Sequence, residues 1–541
     1  MPYSGDFSIA ASLLKRVTYR ESFGCINMSR DKKKKIEYGD FQTPPDLTDE
    51  VCRFLHQSGI EPRSIVEPTC GEGNFLLSVM ECFPQVEMGI GLELNAEYIE
   101  RTNGKLCGKP YADRIKVIHE DFFNLDWKSI TSKFPEPILV IGNPPWVTNS
   151  SLGVLSSQNL PQKTNFQKHN GLDALTGKSN FDISEWMAIR ILDWFSIKSG
   201  CVALLCKTAV ARKILQSACQ NRLPVVRASL YLIDAKKYFE ASVDAGLLVC
   251  ELGEGSTNYD CSVYERLDRQ LYLSTFGTRG RLSIANLDPF KRWKHLEGRG
   301  PYQWRSGIKH DCSKIMELRG QFPSLTNGLG ETIQLESLYV FPLLKSSDVA
   351  NGRHPSPSRS VIVTQNQVGK DTQPIREEAP KTWAYLKQHQ ALFEKRKSSI
   401  YKGKPPFSIF GVGDYAFAPW KVAISGLYKQ LSFRAIGPRE GKPVMLDDTC
   451  YFIPCNSEGE ARLLEVLLNS QTANQFFGAF IFWDAKRPIT ASLLNRLDLF
   501  KLASELGRGE ELNLCLESHA KSTSRAVNLQ NVGYNGRLAG C

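Results

Sequence analysis

An apolar run that stops at two prolines constrains this chain more than any other stretch. Residues 138–142 read Ile-Leu-Val-Ile-Gly and are followed directly by Asn143, Pro144, Pro145 and Trp146. Four or more apolar residues bounded by Gly and Pro predict a buried strand, and the prolines prevent that strand from continuing. Asn143 and Trp146 are therefore expected at its carboxyl end, which is where open α/β sheets bind their ligands.

The groups at this strand end suit methyl transfer to a planar amino nitrogen. An exocyclic amine delocalises its lone pair into its ring, which makes it a weak nucleophile. The Asn143 side-chain oxygen and the Pro144 carbonyl can both accept from the amine's N–H groups, while Pro145 stiffens the loop and Trp146 offers a stacking face. An Asn-Pro-Pro turn can also simply end a strand, so the motif depends on its neighbours for meaning.

A strand, a glycine loop and a helix precede this motif and predict a cofactor site. Residues 64–67 form a short predicted strand that ends in Glu67, and a loop containing Gly71 and Gly73 leads into a helix near Phe75. The two glycines would let the backbone approach a ligand closely. The loop contains neither GxGxxG nor GxxxxGK(S/T), so a dinucleotide or a nucleoside triphosphate is not the expected ligand.

Two further predicted strands also end near acidic residues. Glu93 stands about 20 residues beyond the glycines, where an acidic side chain typically accepts from ribose hydroxyls. Asp121 and Phe122 follow the next strand, over residues 115–119, and could take the amino group and the ring of an adenine. Any one of these carboxylates could be a capping or surface residue. Together with Glu67 they stand at three successive strand ends and predict a pocket shaped for S-adenosylmethionine.

The helix before the glycine loop begins at a pair of prolines. Gln42-Thr43-Pro44-Pro45 precedes apolar residues at helical spacing, so Thr43 is expected as the N-cap and Pro44 at the first helical position. The free backbone donors and the Thr43 hydroxyl would then face whatever lies before the helix. A well-capped helix without a ligand is the alternative.

An aromatic residue between two later strands is a candidate for the second face of a bound base. Residues 228–233 and 245–251 predict a hairpin-like strand pair, and Phe239 lies in their connection. A core role is the default for a single Phe. Opposite Trp146, however, Phe239 could close over a base that is already stacked.

The overall composition favours a globular enzyme with an anionic partner. The 541 residues are 42% hydrophobic and 23% charged, and 67 basic against 57 acidic residues give a net charge of +10. This mild basic excess supports nucleic acid as a partner without requiring it. The 15 cysteines show neither zinc-ligand spacing nor a disulfide framework, and no apolar run reaches membrane-spanning length. We therefore expect a soluble, cytoplasmic protein with no membrane partner.

Four regions are expected along the chain. Residues 1–35 form a basic arm that ends in four lysines, and residues 36–255 carry an alternation of strands and helices. Residues 256–505 mix aromatic with basic side chains, a pattern suited to groove and phosphate contacts, and a helix over 461–468 is expected to brace them. Residues 506–541 are polar, rich in Asn, Gly and Ser, and expected to be loosely held.

In this order the motifs resemble those of the gamma-class, Taq-type N6-adenine DNA methyltransferases, in which a catalytic domain precedes a target-recognition domain. The joint order is more specific than any single motif, and the resemblance covers roughly residues 36–252. The family's fourth motif more often ends in Tyr or Phe than in Trp, and the following loop, residues 147–180, is long here. The matching segments are Gln42-Thr43-Pro44-Pro45, Glu67-Pro68-Thr69-Cys70-Gly71 with Gly73, Glu93, Asp121-Phe122, Asn143-Pro144-Pro145-Trp146, residues 178–182 and the surroundings of Phe239.

The resemblance implies an α/β fold, with a Rossmann-like class I S-adenosylmethionine-dependent methyltransferase domain and a C-terminal mixed α/β target-recognition domain. It implies adenine in double-stranded DNA as the substrate, reached by base flipping, and a separately encoded restriction endonuclease as a partner. The implied catalytic residues are Asn143, Pro144, Pro145 and Trp146, with Trp146 and Phe239 stacking on the target base. The residues implied to hold the cofactor are Thr43, Glu67, Thr69, Cys70, Gly71, Gly73, Glu93, Asp121, Phe122 and Asn143.

Other interpretations of the same residues stay open. Similar Asn-Pro-Pro-aromatic sites serve base methylation on RNA and glutamine methylation on proteins, although the large second domain would be hard to explain in a glutamine methyltransferase. A DNA-binding module with an inactive methyltransferase domain would not need intact acidic and Asn positions. A bifunctional restriction enzyme would need a nuclease signature, and none is recognisable downstream.

Overall fold

The computed structural model describes five stretches of the chain. The predicted basic arm, nearly all of the predicted long loop and the end of the predicted polar tail lie outside them. Contacts divide the chain into two units, and of the described residues the smaller unit contains Gln42, 145–147 and 182–184, while the larger contains all others. The described stretches are residues 42–147, 182–194, 199–280, 282–352 and 359–517.

Ten strands of the larger unit form one sheet. Neighbouring strands follow the order β10-β9-β8-β6-β7-β5-β4-β1-β2-β3. Strands β1 to β5 are mutually parallel, whereas β7 runs antiparallel to both of its neighbours, β5 and β6. The strands are β1 (Ser64–Glu67), β2 (Met88–Glu93), β3 (Ile115–His119), β4 (Ile138–Gly142), β5 (Gly200–Lys207), β6 (Val225–Ile233), β7 (Ala245–Leu252), β8 (Cys261–Tyr264), β9 (Tyr272–Arg279) and β10 (Leu282–Ile284).

Helices precede and connect these strands, and their apolar faces pack inward. In α1 the residues Leu47, Val51 and Leu55 are buried at intervals of four, which confirms the helical spacing predicted there. The helices are α1 (Pro45–Gln57), α2 (Asn74–Cys82), α3 (Ala96–Leu106), α4 (Trp127–Thr131), α5 (Ile183–Trp194), α6 (Thr208–Gln220) and α7 (Ala235–Phe239), with a 3₁₀ turn over Ala112–Arg114.

The central strands explain why the sequence predicted this sheet. Every residue of β1 and of β4 is buried, as expected for parallel strands that are covered on both faces and therefore read as continuous apolar runs. The strand order β3-β2-β1-β4-β5-β7-β6 with one antiparallel strand confirms the expected Rossmann-like methyltransferase sheet. The order reverses between β1 and β4, and open α/β sheets bind ligands at the carboxyl ends of strands at such a switch point.

The sheet continues past the domain boundary predicted at residue 255. β8 pairs in parallel with β6, and β9 and β10 extend that edge as antiparallel strands as far as Ile284. The predicted boundary therefore falls inside the sheet. The alternation of strand and helix does end near residue 255, but it ends because the later strands are joined by short connections, which antiparallel pairs allow.

The C-terminal half of the described chain is mixed α/β, as expected. Its two sheets have the orders β11-β20-β17-β18 and β14-β13-β12-β16-β15-β19. The strands are β11 (Arg305–Ser306), β12 (Glu317–Gln321), β13 (Ser324–Thr326), β14 (Thr332–Ile333), β15 (Val340–Leu344), β16 (Arg359–Ile362), β17 (Trp420–Ser425), β18 (Arg434–Ile436), β19 (Met445–Leu446) and β20 (Cys450–Cys455).

Short helices surround these two sheets. No helix among the described residues is long and apolar enough to cross a membrane. The helices are α8 (Leu287–Trp293), α9 (Ser313–Met316), α10 (Ser346–Asn351), α11 (Ile375–Glu378), α12 (Pro380–Gln388), α13 (Gln390–Glu394), α14 (Glu458–Leu468), α15 (Gln471–Gly478), α16 (Ala491–Leu494) and α17 (Leu499–Glu505), with 3₁₀ turns over Lys294–Leu296, Ser337–Tyr339, Ser399–Tyr401 and Asp414–Phe417.

The end of the described chain packs more tightly than the sequence suggested. The helix predicted over 461–468 is confirmed as α14, which begins earlier because the Ser457 hydroxyl caps it by accepting from the Glu460 amide at 3.2 Å. Leu512 is fully buried in the hydrophobic cluster to which α14 contributes Leu464. A loosely held tail starting at residue 506 is therefore wrong for the described residues, because Leu506 and Cys515 also pack against this cluster.

A buried lysine in β17 gives a testable dependence of stability on pH. The Lys421 ammonium donates to the Ala418 carbonyl at 2.8 Å, and burial lowers its pKa to about 7. Between that pKa and the ordinary value of about 10.4 the unfolded chain binds a proton that the folded chain does not, so stability rises with pH in this window. From about pH 7.5 to about pH 9, the free energy of unfolding in urea should therefore rise by about 1–2 kcal/mol more in wild type than in Lys421→Met.

The control for this prediction is Lys404→Met, which changes an exposed lysine of the same half of the chain. It should follow the wild-type pH dependence. A Lys421→Met curve that runs parallel to wild type across the same window would show that Lys421 keeps its proton in the folded protein.

Candidate active site

The Asn-Pro-Pro segment lies at the carboxyl end of β4, as predicted. Gly142 is the last residue of the strand, and Asn143 and Pro144 follow it directly. A Cβ added at Gly142 would lie 3.6 Å from the Glu67 Cγ atom, so the ends of β4 and β1 are in van der Waals reach. Asn143 is half-buried and Pro144 is buried. Asn143 and Pro144, which carry the acceptor oxygens of the motif, therefore follow a strand end that lies beside Glu67.

Glu67 is a buried carboxyl at the end of β1. It is 3% exposed, and its Oε2 atom accepts from the Leu76 amide at 3.1 Å. Burial raises the pKa of the Glu67 carboxyl well above its ordinary value; the hydrogen bond from Leu76 opposes the shift, and the charge of Glu93 adds to it. A cationic group bound next to this carboxyl would favour its ionised form. The site is thus suited to a positively charged ligand.

Glu93 organises the glycine loop, a role that the sequence did not predict. Its Oε2 atom accepts from the Gly71 amide at 2.8 Å, and its Oε1 atom accepts from the Leu94 and Asn95 amides, each at 2.8 Å. The carboxylate therefore joins the loop after β1 to the turn after β2.

The glycine loop is held in a conformation that requires glycine. Gly71 and Gly73 have φ angles of +50° and +72°. A Cβ atom at Gly73 would lie 2.4 Å from the Thr102 Cγ2 atom of α3, and the Thr102 hydroxyl donates to the Gly71 carbonyl at 3.0 Å. Backbone conformation and packing both exclude a side chain at Gly73, which is a structural reason for glycine separate from the predicted close approach of a ligand.

Thr69 and Cys70 complete the loop between β1 and α2. The Thr69 Oγ1 atom is buried and has no hydrogen-bond partner among the described residues. Buried hydroxyls are normally paired, so this atom marks a position where a ligand or a water molecule would bind. The Cys70 amide donates to the Leu92 carbonyl at 2.7 Å, and burial raises the pKa of its thiol, which makes Cys70 a packing residue and not a nucleophile.

Asp121 and Phe122 follow β3, at the same edge of the sheet. The Asp121 Oδ1 atom accepts from the Phe123 amide at 2.9 Å and so fixes the turn. The Phe122 ring is buried, with its centroid 5.5 Å from that of Trp127 and 5.0 Å from that of Trp194. Most of this ring therefore contacts protein, and the aromatic cluster behind it was not foreseen because Trp194 is distant from Phe122 in sequence.

The start of α1 differs from the prediction by one residue. Pro44, not Thr43, is the N-cap, Pro45 is the first helical residue, and no side chain caps the helix. Thr43 is buried, and its carbonyl accepts from the Asn74 side chain at 2.8 Å, which ties the start of α1 to the start of α2. The capping role assigned to Thr43 is therefore wrong, since Pro45 restricts Pro44 to the extended conformation of an N-cap and itself begins the helix.

The two aromatic candidates lie in different units. Phe239 is the last residue of α7, which follows β6, and it is buried. Because β6 and β5 are both antiparallel to β7, the carboxyl end of β6 is at the same edge as Asn143. Trp146 is also buried and belongs to the smaller unit, in which the Val147 carbonyl accepts from the Ile183 amide at 3.0 Å.

Comparison with known proteins assigns the chain to a family. It is 46% identical over 473 residues to the Type II methyltransferase M.NspV of Nostoc sp. (strain ATCC 29411 / PCC 7524), an alignment that covers 87% of this chain and 98% of the relative. The chain belongs to the Type II methyltransferases of restriction-modification systems. This methyltransferase is also 33% identical over 122 residues to the modification methylase CviBIII of Paramecium bursaria Chlorella virus NC1A, which covers 22% of this chain and 29% of that relative.

Two other comparisons with this methyltransferase are less specific. No protein-family model matches it. The solved structure of the Type IIL restriction-modification enzyme MmeI in complex with DNA superposes with a TM-score of 0.47 at 14% identity, over 86% of this chain and 65% of that one. The family assignment rests on the Nostoc relative. It confirms the expectation of an S-adenosylmethionine-dependent methyltransferase that acts on DNA in a restriction-modification system.

Proposed function

We propose that this methyltransferase methylates the N6 amino group of adenine in duplex DNA. The observation that carries the proposal is the position of Asn143 and Pro144 at the carboxyl end of β4, beside the buried Glu67 carboxyl and on the same sheet edge as Glu93. This arrangement combines two acceptors for an amine with a site for a cationic ligand. An exocyclic amine on a planar base is the acceptor that needs both.

Asn143 and Pro144 prepare the amine for attack. The Asn143 Oδ1 atom and the Pro144 carbonyl accept from the two N–H groups and pull the nitrogen toward tetrahedral geometry. In that geometry the lone pair is localised on the nitrogen instead of being delocalised into the ring. No general base is needed before attack, because the amine becomes acidic only once it carries the methyl group and can then lose a proton. Trp146, two residues beyond Pro144, is proposed to stack on the base because of this closeness in the chain.

The residues of the glycine loop fit S-adenosylmethionine. When bound, this cofactor supplies an electrophilic methyl group on a sulfonium sulfur. Glu67 would face its positive charge, the unpaired Thr69 hydroxyl would bind a polar group, and Glu93 and Asp121 would bind ribose hydroxyls and the adenine amino group. Glu67 and Cys70 are both almost inaccessible, so a ligand that contacts them would be largely shielded from water there.

Base flipping is part of the proposal because a paired adenine turns its amino group toward its partner. Extrusion costs a few kcal/mol. Stacking contributes about 1–3 kcal/mol per base, so aromatic contacts from Trp146 and Phe239 together with phosphate contacts can offset this cost. The position of Phe239 at the end of α7, on the sheet edge where β4 ends, supports such a role.

The rival substrates are an RNA base and a protein glutamine. The C-terminal half, with its own two sheets and hydrophobic clusters, favours a polynucleotide, because a glutamine side chain does not need a second domain of this size. Family membership favours DNA over RNA. We also propose a separately encoded restriction endonuclease as a partner.

The acceptor assay tests the proposal directly. Purified protein and radiolabelled S-adenosylmethionine should label duplex DNA but neither structured RNA of the same length nor bulk protein. Nucleoside mass spectrometry of the labelled DNA should then identify N6-methyldeoxyadenosine. Label in RNA, or a methylated cytosine in place of adenine, would contradict the proposal.

A further inference from the structure

A cleft between the catalytic sheet and the C-terminal half contains an exposed tryptophan. The cleft has a volume of about 970 Å³ and is lined by Lys207 at the end of β5, by Ile233 at the end of β6 and by a C-terminal loop that includes Phe482 and Trp483. Because β5 is parallel to β4, and Gly142 is the register partner of Leu204, the cleft opens one strand away from Asn143. It therefore lies at the edge of the sheet that carries the chemistry.

A charged clasp fixes the tryptophan's loop to the catalytic sheet. The Asp484 carboxylate accepts from the Arg212 guanidinium at 2.7 and 2.8 Å and from the Thr208 hydroxyl at 2.7 Å. Arg212 and Asp484 side chains are only 19% and 14% exposed, so water screens this ion pair weakly. Thr208 and Arg212 belong to α6, which begins directly after β5. The C-terminal loop is thus fixed to the helix that follows β5, and β5 is the strand next to β4, which ends at Asn143.

The clasp also determines how the loop presents Trp483. The Ala485 amide donates to the Phe482 carbonyl at 3.1 Å and closes a tight turn with Trp483 and Asp484 at its centre. The Arg212 guanidinium also lies 4.3 Å from the centre of the Phe482 ring, so the residue before Trp483 contacts α6 as well. Trp483 keeps 36% of its surface exposed. The indole is therefore exposed on a loop whose conformation is fixed by the ion pair of Asp484 with Arg212 and by the turn.

The charges around the tryptophan favour an anionic partner. Lys236 and Lys429 both line the cleft, are exposed and form no ion pair with any described residue. Lys486 and Arg487 follow Trp483 within four residues and are exposed as well. Three acidic residues line the cleft: Asp484 is paired with Arg212, Asp234 accepts from the Lys237 amide at 2.9 Å as the cap of α7, and Asp244 is exposed. The four basic lining residues outnumber them, and they are Lys207, Arg212, Lys236 and Lys429. Positive charge around an aromatic ring is the pattern of nucleic-acid contact surfaces.

We propose that Trp483 stacks on a nucleobase of the bound DNA and that the clasp of Asp484 with Arg212 and Thr208 positions it. The inference rests on the action of this methyltransferase on DNA and is independent of which base receives the methyl group. Trp483 is a binding residue in this assignment, whereas Asp484 and Arg212 are positioning residues.

The first test measures DNA binding of Trp483→Ala, with a fluorescent duplex that carries the site mapped by methylation sequencing. Stacking on one base predicts a rise in Kd of about 5- to 100-fold. Trp483→Phe keeps a ring and should bind within about threefold of wild type. Phe322→Ala removes an aromatic residue that is even more exposed but lies outside the cleft, and it should bind as wild type does. Cofactor affinity and the thermal midpoint should be unchanged in all three.

The second test needs no variant and remains decisive if Trp483→Ala fails to fold. Irradiation of wild-type protein on duplexes with 5-iodouracil or 5-iodocytosine at single positions should give one strong crosslink, which peptide mass spectrometry maps to Trp483. Wild-type affinity in Trp483→Ala, an equal loss in Trp483→Phe, or crosslinks that map only to other peptides would overturn the assignment. The site is defined by sequencing whichever base is methylated, so an error in the proposed target base leaves both readouts valid.

Discussion

Asn143→Ala is expected to lower the turnover number for DNA methylation by about 100-fold or more, a loss typical for removing one hydrogen-bonding group that acts on the reacting atoms. The variant leaves the Pro144 carbonyl in place but removes the Asn143 side-chain oxygen. Both acceptors are needed to localise the lone pair on the nitrogen. The residue lies after the last residue of β4 and only half-buried, so the strand itself should fold as before. Single-turnover kinetics with saturating DNA and cofactor measure the effect.

The matching binding measurement separates chemistry from cofactor capture. The glycine loop, Glu67 and Glu93 are unchanged in Asn143→Ala, so calorimetric affinity for S-adenosylmethionine should stay within about threefold of wild type, a change of less than about 1 kcal/mol. Asn103→Ala, at an exposed position of α3, is the control and should leave both quantities unchanged. A variant that loses cofactor binding, or that keeps wild-type turnover, would remove Asn143 from its proposed role.

Gly73→Ala is expected to lower the free energy of unfolding by about 2–5 kcal/mol and to weaken cofactor binding. One part of the cost is the φ angle of +72°, which an Ala adopts at about 1–2 kcal/mol. The larger part is the clash of the new Cβ with the Thr102 Cγ2 atom, 2.4 Å away, which must push α3 from the loop. Urea unfolding and cofactor titration of the same sample measure the two effects together.

Two variants separate strain from clash. Gly59 has a φ angle of +81° with no atom within 4 Å of an added Cβ, so Gly59→Ala should cost only the backbone strain of about 1–2 kcal/mol. Thr102→Ser removes the clashing methyl group but keeps the hydroxyl that donates to the Gly71 carbonyl. In the Thr102→Ser background Gly73→Ala should therefore cost less than in wild type. Equal costs for Gly73→Ala and Gly59→Ala would show that the loop has room for a side chain.

The parts of the site that follow from local sequence were predictable. A run such as residues 138–142, bounded by Gly and Pro, predicts a buried strand, and two prolines after it place Asn143 at the strand end. The same reasoning put Glu67 and Glu93 at the ends of β1 and β2, and the parallel sheet then brought them to one edge. Periodicity also located α14, although its start depended on the cap at Ser457.

Features that depend on long-range contacts were not predictable. Glu93 binds the Gly71 amide across 22 positions, and Asp484 binds Arg212 across 272, so neither partner is visible in a local window. The boundary near residue 255 was misplaced because hairpin connections replace helices there while the sheet continues to Ile284. The docked position of Leu512 likewise depends on a distant hydrophobic cluster.

The central claim is that Asn143 and Pro144 direct methylation to the N6 atom of adenine in DNA, and long-read modification-sensitive sequencing tests it most directly. DNA is taken from a methylation-free host that expresses either wild type or Asn143→Ala, with both proteins shown to fold and to bind cofactor. We expect N6-methyladenine at one short sequence motif with wild type and unmodified DNA with the variant. Unmodified DNA from the wild type, methylated cytosine, or a modification that survives in Asn143→Ala would contradict the claim.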